Sequence, residues 1–143
     1  TADISVTQLS LQPNKNPAWH LALGRALRPL REQGVLIIGS GSITHNLRAI
    51  FQHPQDAPVP NWVTEFCDWM TEKIRSGDLD ALCDYRRLAP YAAHNHPTHE
   101  HLLPLFVALG AADKIGTAQH LNRELTFGLL AMDAWLFDLT TLS

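Results

Sequence analysis

A chain of 143 residues with 45% hydrophobic and 17% charged side chains is long enough to bury a core and too apolar to be a disordered tail. Its net charge of −3 and eleven scattered basic residues, Arg86-Arg87 being the one adjacent pair, argue against a partner held by phosphate attraction, so no nucleic acid is expected. No apolar run approaches the ~20 residues of a bilayer span, which argues against a membrane, and Cys67 and Cys83, outside any C-x-x-C, are expected to be reduced thiols of a cytoplasmic protein.

The first segment, Ile4 to Leu11, alternates apolar and polar residues with period two and predicts a half-buried strand. Asn16 followed by Pro17 marks a helix start, Asn as cap and Pro where no N–H is needed. That helix is predicted to run to about Gln33, burying Trp19, Leu23, Leu27 and Leu30, kinking at Pro29 and closing at Gly34. "GVLIIGSGSITHNL" follows, a β-branched run that reads as a strand buried on both faces and ending in a turn at Gly39 to Ser42. Strand, helix, strand in this order suggests a βαβ-like unit, with His45 just past the second strand, where functional groups of such folds collect.

Residues 51–60, rich in proline, read as a surface connection, and 61–76 as an amphipathic helix burying Trp62, Phe66, Trp69 and Ile74 and ending at Gly77. Asp78 caps a shorter helix to about Arg87. "HNHPTHEH" at 94–101 then gathers four of the eight histidines, and an apolar helix is expected to start near Thr98, with Pro104 early and Gly110 as a break. The closing segment, 124–139, reads as one or two strands, with a helix, favoured by its Leu, Ala and Met, as the alternative. Without repeats or a linker, the fold class is α/β, a layered mixed sheet flanked by helices, residues 1–143 reading as one compact domain or as part of a larger single one. Thr1 without a preceding Met suggests a piece cut from something longer.

Neutral imidazoles bind metals when they converge on one point. On a helix begun at Thr98, His99 and His101 lie about 200° apart, so one of them at most faces a given ion. His101, next to Leu102 and Leu103, is the inward candidate; His99 is the alternative ligand. Glu100 is placed either to orient an imidazole or to bind the ion itself. Zinc-finger spacing is absent, "GSGS" fits neither a dinucleotide fingerprint nor a P-loop, and Ser40 and Ser42 lie in no nucleophile elbow. His45 has the titration range of a general acid or base. His20 is expected on a helix surface, and His53 and His120 in polar connections.

Three stretches, "GVLIIGSGSITHNLR", "HPTHEHLLPLFVALGAA" and "LAMDAWLF", together with "PAWHLALGRALRPLREQGV", resemble the class III extradiol ring-cleavage dioxygenases, most closely the branch containing the 4,5-DOPA dioxygenases. The resemblance implies a non-haem iron(II), or in some members zinc, that binds a catechol-type substrate and O2 for ring opening. It also implies that His45, in "THNLR", is the acid/base and that His101, in "EHLLPL", is a metal ligand. The family's two other metal histidines belong to an N-terminal half that these residues do not contain, so the resemblance covers a C-terminal portion. An N-terminal half or partner chain would then supply them. The rival expectation is a non-catalytic histidine-rich module binding zinc or a partner chain.

Overall fold

The structure, a computed structural model, describes residues 3–54 and 57–138; Thr1, the middle of the 51–60 connection and Leu139 lie outside the described residues. The fold is mixed α/β, helices carrying most of the core and strands forming two small antiparallel pairs.

Helix α1 spans Pro17–Leu27, and Asn16 caps it as its sequence demands: Oδ1 accepts from the Trp19 amide at 2.9 Å. Pro29 ends the regular helix, and Arg28–Gln33 tighten into a 3-10 turn closed by Gly34 at φ +79°. The buried face is Pro17, His20, Leu21 and Gly24, not Trp19, Leu23, Leu27 and Leu30. The cause is α7, Leu103–Ala111, which crosses α1 so closely that only its glycine side can face inward. Gly110, expected to break α7, lies inside it at that crossing. The start near Thr98 is corrected as well: 99–102 form a turn, and the helix begins at Leu103, with Pro104 in its first turn.

Between these helices, α2 spans Leu47–Ile50 and α3 spans Asn61–Ser76, ending at Gly77 in the left-handed conformation. Val63, Phe66, Met70 and Ile74 of α3 are fully or almost fully buried and meet Phe106 and Leu109 of α7 in one core. Asp78 caps α4, Leu79–Cys83, accepting from Ala81; α5, Tyr85–Leu88, and α6, Ala92–Asn95, complete the region. Both cysteines are free, and burial pushes the Cys67 thiol up to about 12. No helix among the described residues is long and apolar enough to cross a membrane.

Strands β1 (Gln119–Asn122) and β4 (Ala134–Leu136) pair antiparallel, as do β2 (Leu125–Thr126) and β3 (Leu130–Ala131). The closing segment is therefore stranded, as its pattern predicts. The two earlier strands are not formed. Ile4 and Val6 are 83% and 89% exposed, Leu36 and Ile38 are 75% and 76% exposed, and neither segment joins a ladder among the described residues. A strand needs a neighbour for its backbone groups, and the alternation that marks it cannot supply one. The βαβ unit is consequently absent from the described residues.

Candidate active site

Two loops build the site. Ser42–Asn46 forms the turn before α2, and 94–101 takes in the end of α6 and the connection toward α7. Gly39 and Gly41 let the chain enter the turn flush against the start of α7: a Cβ would stand 2.3 Å from the Pro104 carbonyl oxygen and 2.2 Å from that of His101. Close backbone approach, not anion binding, accounts for these glycines. Thr44 fixes the other side, donating from Oγ1 to the Leu129 carbonyl at 2.7 Å and accepting from the Ala131 amide at 2.8 Å, which anchors the turn to the β2–β3 hairpin.

Four hydrogen bonds lace the loops together. The Ser42 amide donates to the His101 carbonyl at 2.8 Å and the His45 amide to the Asn95 carbonyl at 3.0 Å. Asn46 Nδ2 donates to the His94 carbonyl at 2.7 Å, and His96 Nε2 to that of Ile43 at 2.6 Å. The result is a stack: the His45 and His101 rings lie 3.5 Å apart between centroids, tilted by 20°.

His101 of this stack lines an open groove of about 760 Å³, whose lining also includes residues 34–43 and 133–138. Leu36, Ile38, His101 and Trp135 are among its lining. Burial, followed by the neighbouring His101, lowers the His45 pKa, and Glu100 opposes the shift. The His45 ring is thereby biased to the neutral form that accepts a proton. Glu100 Oε1 lies 3.7 Å from His101 Nε2, and its carboxyl is held below the usual range by its own backbone amide and by Thr98.

The expected inward burial of His101 is corrected. Its side chain is 45% exposed, because 99–102 form a turn and not a helix, and it faces the groove instead of the core. His99 is engaged elsewhere, its Nε2 donating to the Pro13 carbonyl at 3.2 Å. His94 packs edge-on against Trp62.

Sequence reasoning missed three other histidines. His20 is fully buried, its Nδ1 3.0 Å from the Asn16 carbonyl oxygen. His96 is fully buried behind the turn. His120, expected in a connection, sits on β1 opposite Trp135 of β4, stacks on it at 3.9 Å and binds Asp133 through Nε2; both members of that pair are buried. His96 had a local signal, a histidine directly before a proline within the cluster. His120 had none, since its partner is 13 residues away.

The donor chemistry suits a divalent metal only in part. His101 presents its imidazole to the groove, yet among the described residues no three His, Cys, Asp or Glu side chains converge as a metal site.

Residues 2–132 match the family model of the catalytic LigB subunit of aromatic ring-opening dioxygenase. The chain belongs to the LigB family. It is 41% identical to a 4,5-DOPA dioxygenase extradiol of Mirabilis jalapa across 86% of its own length and 45% of that protein. With the protein of the same description from Beta vulgaris it shares 36% identity over 97% of this chain and 51% of the other. The crystal structure of an uncharacterized Escherichia coli K12 protein superposes with a TM-score of 0.76 at 30% identity, covering 88% of the LigB-family chain and 52% of that structure. The chain thus spans about half the length of the relatives it matches. LigB-type extradiol dioxygenases are in general non-haem metal-dependent, and membership displaces the reading of a stand-alone histidine-rich module.

Proposed function

We propose that residues 1–143 form the C-terminal portion of a cytoplasmic extradiol dioxygenase that opens the ring of a catechol-type substrate with O2. His101 is the metal ligand this portion contributes, and His45 is the acid/base. The observation that carries this reading is the stacking of the His45 ring on that of His101, which lines the groove. It puts an imidazole that can carry a proton directly against one whose side chain is 45% exposed and open to an ion. Iron(II) is the metal of first choice and zinc the second. Held by His101 and further ligands, such an ion would supply Lewis-acid and redox chemistry toward the catechol and O2.

His45 takes a catechol hydroxyl proton on its ring and returns it later in turnover, while the lacing hydrogen bonds keep the ring from swinging away. Glu100, anchored by Thr98 at 2.8 Å, steadies His101; as an alternative ligand it and His99 rank behind. A metal held by one histidine is weakly held, so further ligands come from an N-terminal half or partner chain. The exposed Leu36 and Ile38 on the groove wall support this need, because an apolar segment that joins no ladder among the described residues is what an added strand would cover.

The test uses the intact protein with catechol as probe. His101→Ala should empty the metal site, and His45→Ala should retain the metal and abolish O2 uptake. A fully metallated His101→Ala protein would overturn the ligand assignment.

A further inference from the structure

His96 has been described only as a residue behind the turn, and neither the metal nor the acid/base reading uses it. It is fully buried, and its ring has two different ends. Nε2 lies 2.6 Å from the Ile43 carbonyl oxygen, which can only accept, so the ring proton sits on Nε2. Nδ1 is buried without a partner, and the ring stands among those of Phe66 and Tyr85, with centroids 5.8 Å and 6.4 Å from that of His96. A second proton on Nδ1 would bury an unpaired charge, so the ring is a fixed, neutral, single-proton donor.

The place where it donates matters. The Ile43 carbonyl belongs to the peptide leading into Thr44, and Thr44 is clamped to the β2–β3 hairpin through its hydroxyl. His96 therefore grips that peptide from one side and the hairpin grips Thr44 from the other, immediately before His45. Next door, Asn95 offers its carbonyl to the His45 amide at 3.0 Å, and its side chain ties the same loop to the Trp62 carbonyl at 2.8 Å. Arg86 donates to the His96 and Pro97 carbonyls, which holds the loop from outside. Each neighbour of His96 is thus fixed, and the imidazole is the strut between them.

We infer that His96 is a positioning residue for the reaction: its Nε2–H, donated to the Ile43 carbonyl, sets the turn that stacks the His45 ring on His101. This rests on His45 being the acid/base, but the strut itself is a geometric assignment that can be read without turnover. A misplacement of an acid/base by about 1 Å reduces catalysis by up to ~100-fold without disturbing groups that only bind.

Glutamine and asparagine at position 96 separate a donor from a packing role. The glutamine amide reaches the place of Nε2, whereas the asparagine amide reaches only that of Nδ1. In the intact protein with catechol as probe, His96→Asn should lower kcat by about tenfold or more with KM within about twofold, and His96→Gln should stay within about threefold of the parent. Bound metal should be equal in all three. Independently, NMR of the metal-free protein should show contacts between the His45 and His101 rings in the parent and in His96→Gln, and their loss in His96→Asn.

Equal behaviour of the two variants, in kcat and in the ring contacts, overturns the inference. If His45→Ala keeps full turnover, the acid/base reading fails on its own, and the ring contacts alone decide whether His96 is the strut. Should His96→Asn not fold, His96→Gln decides: near-parental kcat with the contacts intact supports the strut, and their loss overturns it.

Discussion

Gly24 of α1 and Gly110 of α7 face each other at a helix crossing with no room for a side chain on either. A Cβ on Gly110 would stand 2.0 Å from the Leu21 carbonyl oxygen, and one on Gly24 would stand 2.1 Å from that of Val107. Both obstacles are backbone, which cannot rotate aside, so Gly110→Ala must push the helices apart. Urea denaturation should show a loss of about 3 kcal/mol or more, at the upper end of overpacking effects. A loss below about 0.5 kcal/mol would mean the crossing is looser than described.

Asn46 has two jobs that can be separated. Its Oδ1 accepts from the Ala49 amide at 3.2 Å, capping α2, while Nδ2 donates to the His94 carbonyl at 2.7 Å. Asn46→Ala removes both and should destabilise by about 2 kcal/mol, while Asn46→Asp keeps the cap, loses the donor and should fall between. If Asp and Ala are equally destabilising, the cap contributes nothing.

Stability should fall in acid partly through His96. Burial lowers its pKa to about 4, against an ordinary 6.5, with the bond to Ile43 opposing the shift. Between those values the unfolded chain binds the proton and the folded chain does not. The contribution is therefore complete above pH 6.5 and is lost as pH falls through about 4, amounting to about 3 kcal/mol. Thermal midpoints measured from pH 7 to 4 should drop less steeply in His96→Gln than in the parent. Parallel slopes would show that His96 titrates normally.

The His120–Asp133 pair should behave as a coupled unit. Burial raises the Asp133 pKa and the adjacent His120 works against that rise. Removing one partner leaves the other buried and alone, so Asp133→Ala should destabilise by about 3 kcal/mol. The double variant with His120→Ala should lose less than the sum, by about 1 kcal/mol or more. Simple additivity would show that the two side chains do not interact.

The elements legible in the sequence were those whose signals are local. Asn16, Asp78 and Gly77 carry their cap chemistry within one turn of the chain, and those helix ends formed as read, although α1 stops at Leu27 instead of about Gln33 and the helix after Asp78 breaks at Asp84. Ile4 to Leu11 and Val35 to Ile38 have strand patterns, but strand formation depends on a neighbour, and the residues described offer none. The buried face of α1 was misread because side-chain size was weighed where a glycine contact with a distant helix decides. His45 and His101 could be singled out from their motifs, although not their stacking, which depends on hydrogen bonds between loops some 50 residues apart such as Asn46 to His94. The helical-face comparison of His99 and His101 failed, since neither residue is on a helix.

All four bonds that lace the loops end on main-chain carbonyls, those of Ile43, His94, Asn95 and His101. Carbonyls do not change when side chains do, and two of the four donors, the amides of Ser42 and His45, are main chain as well. Only Asn46 and His96 contribute side chains to the lacing. Mutational drift or directed redesign can therefore alter the exposed side chains along the groove wall at 36 and 38, and change what the groove admits, while the stacked histidines stay where they are.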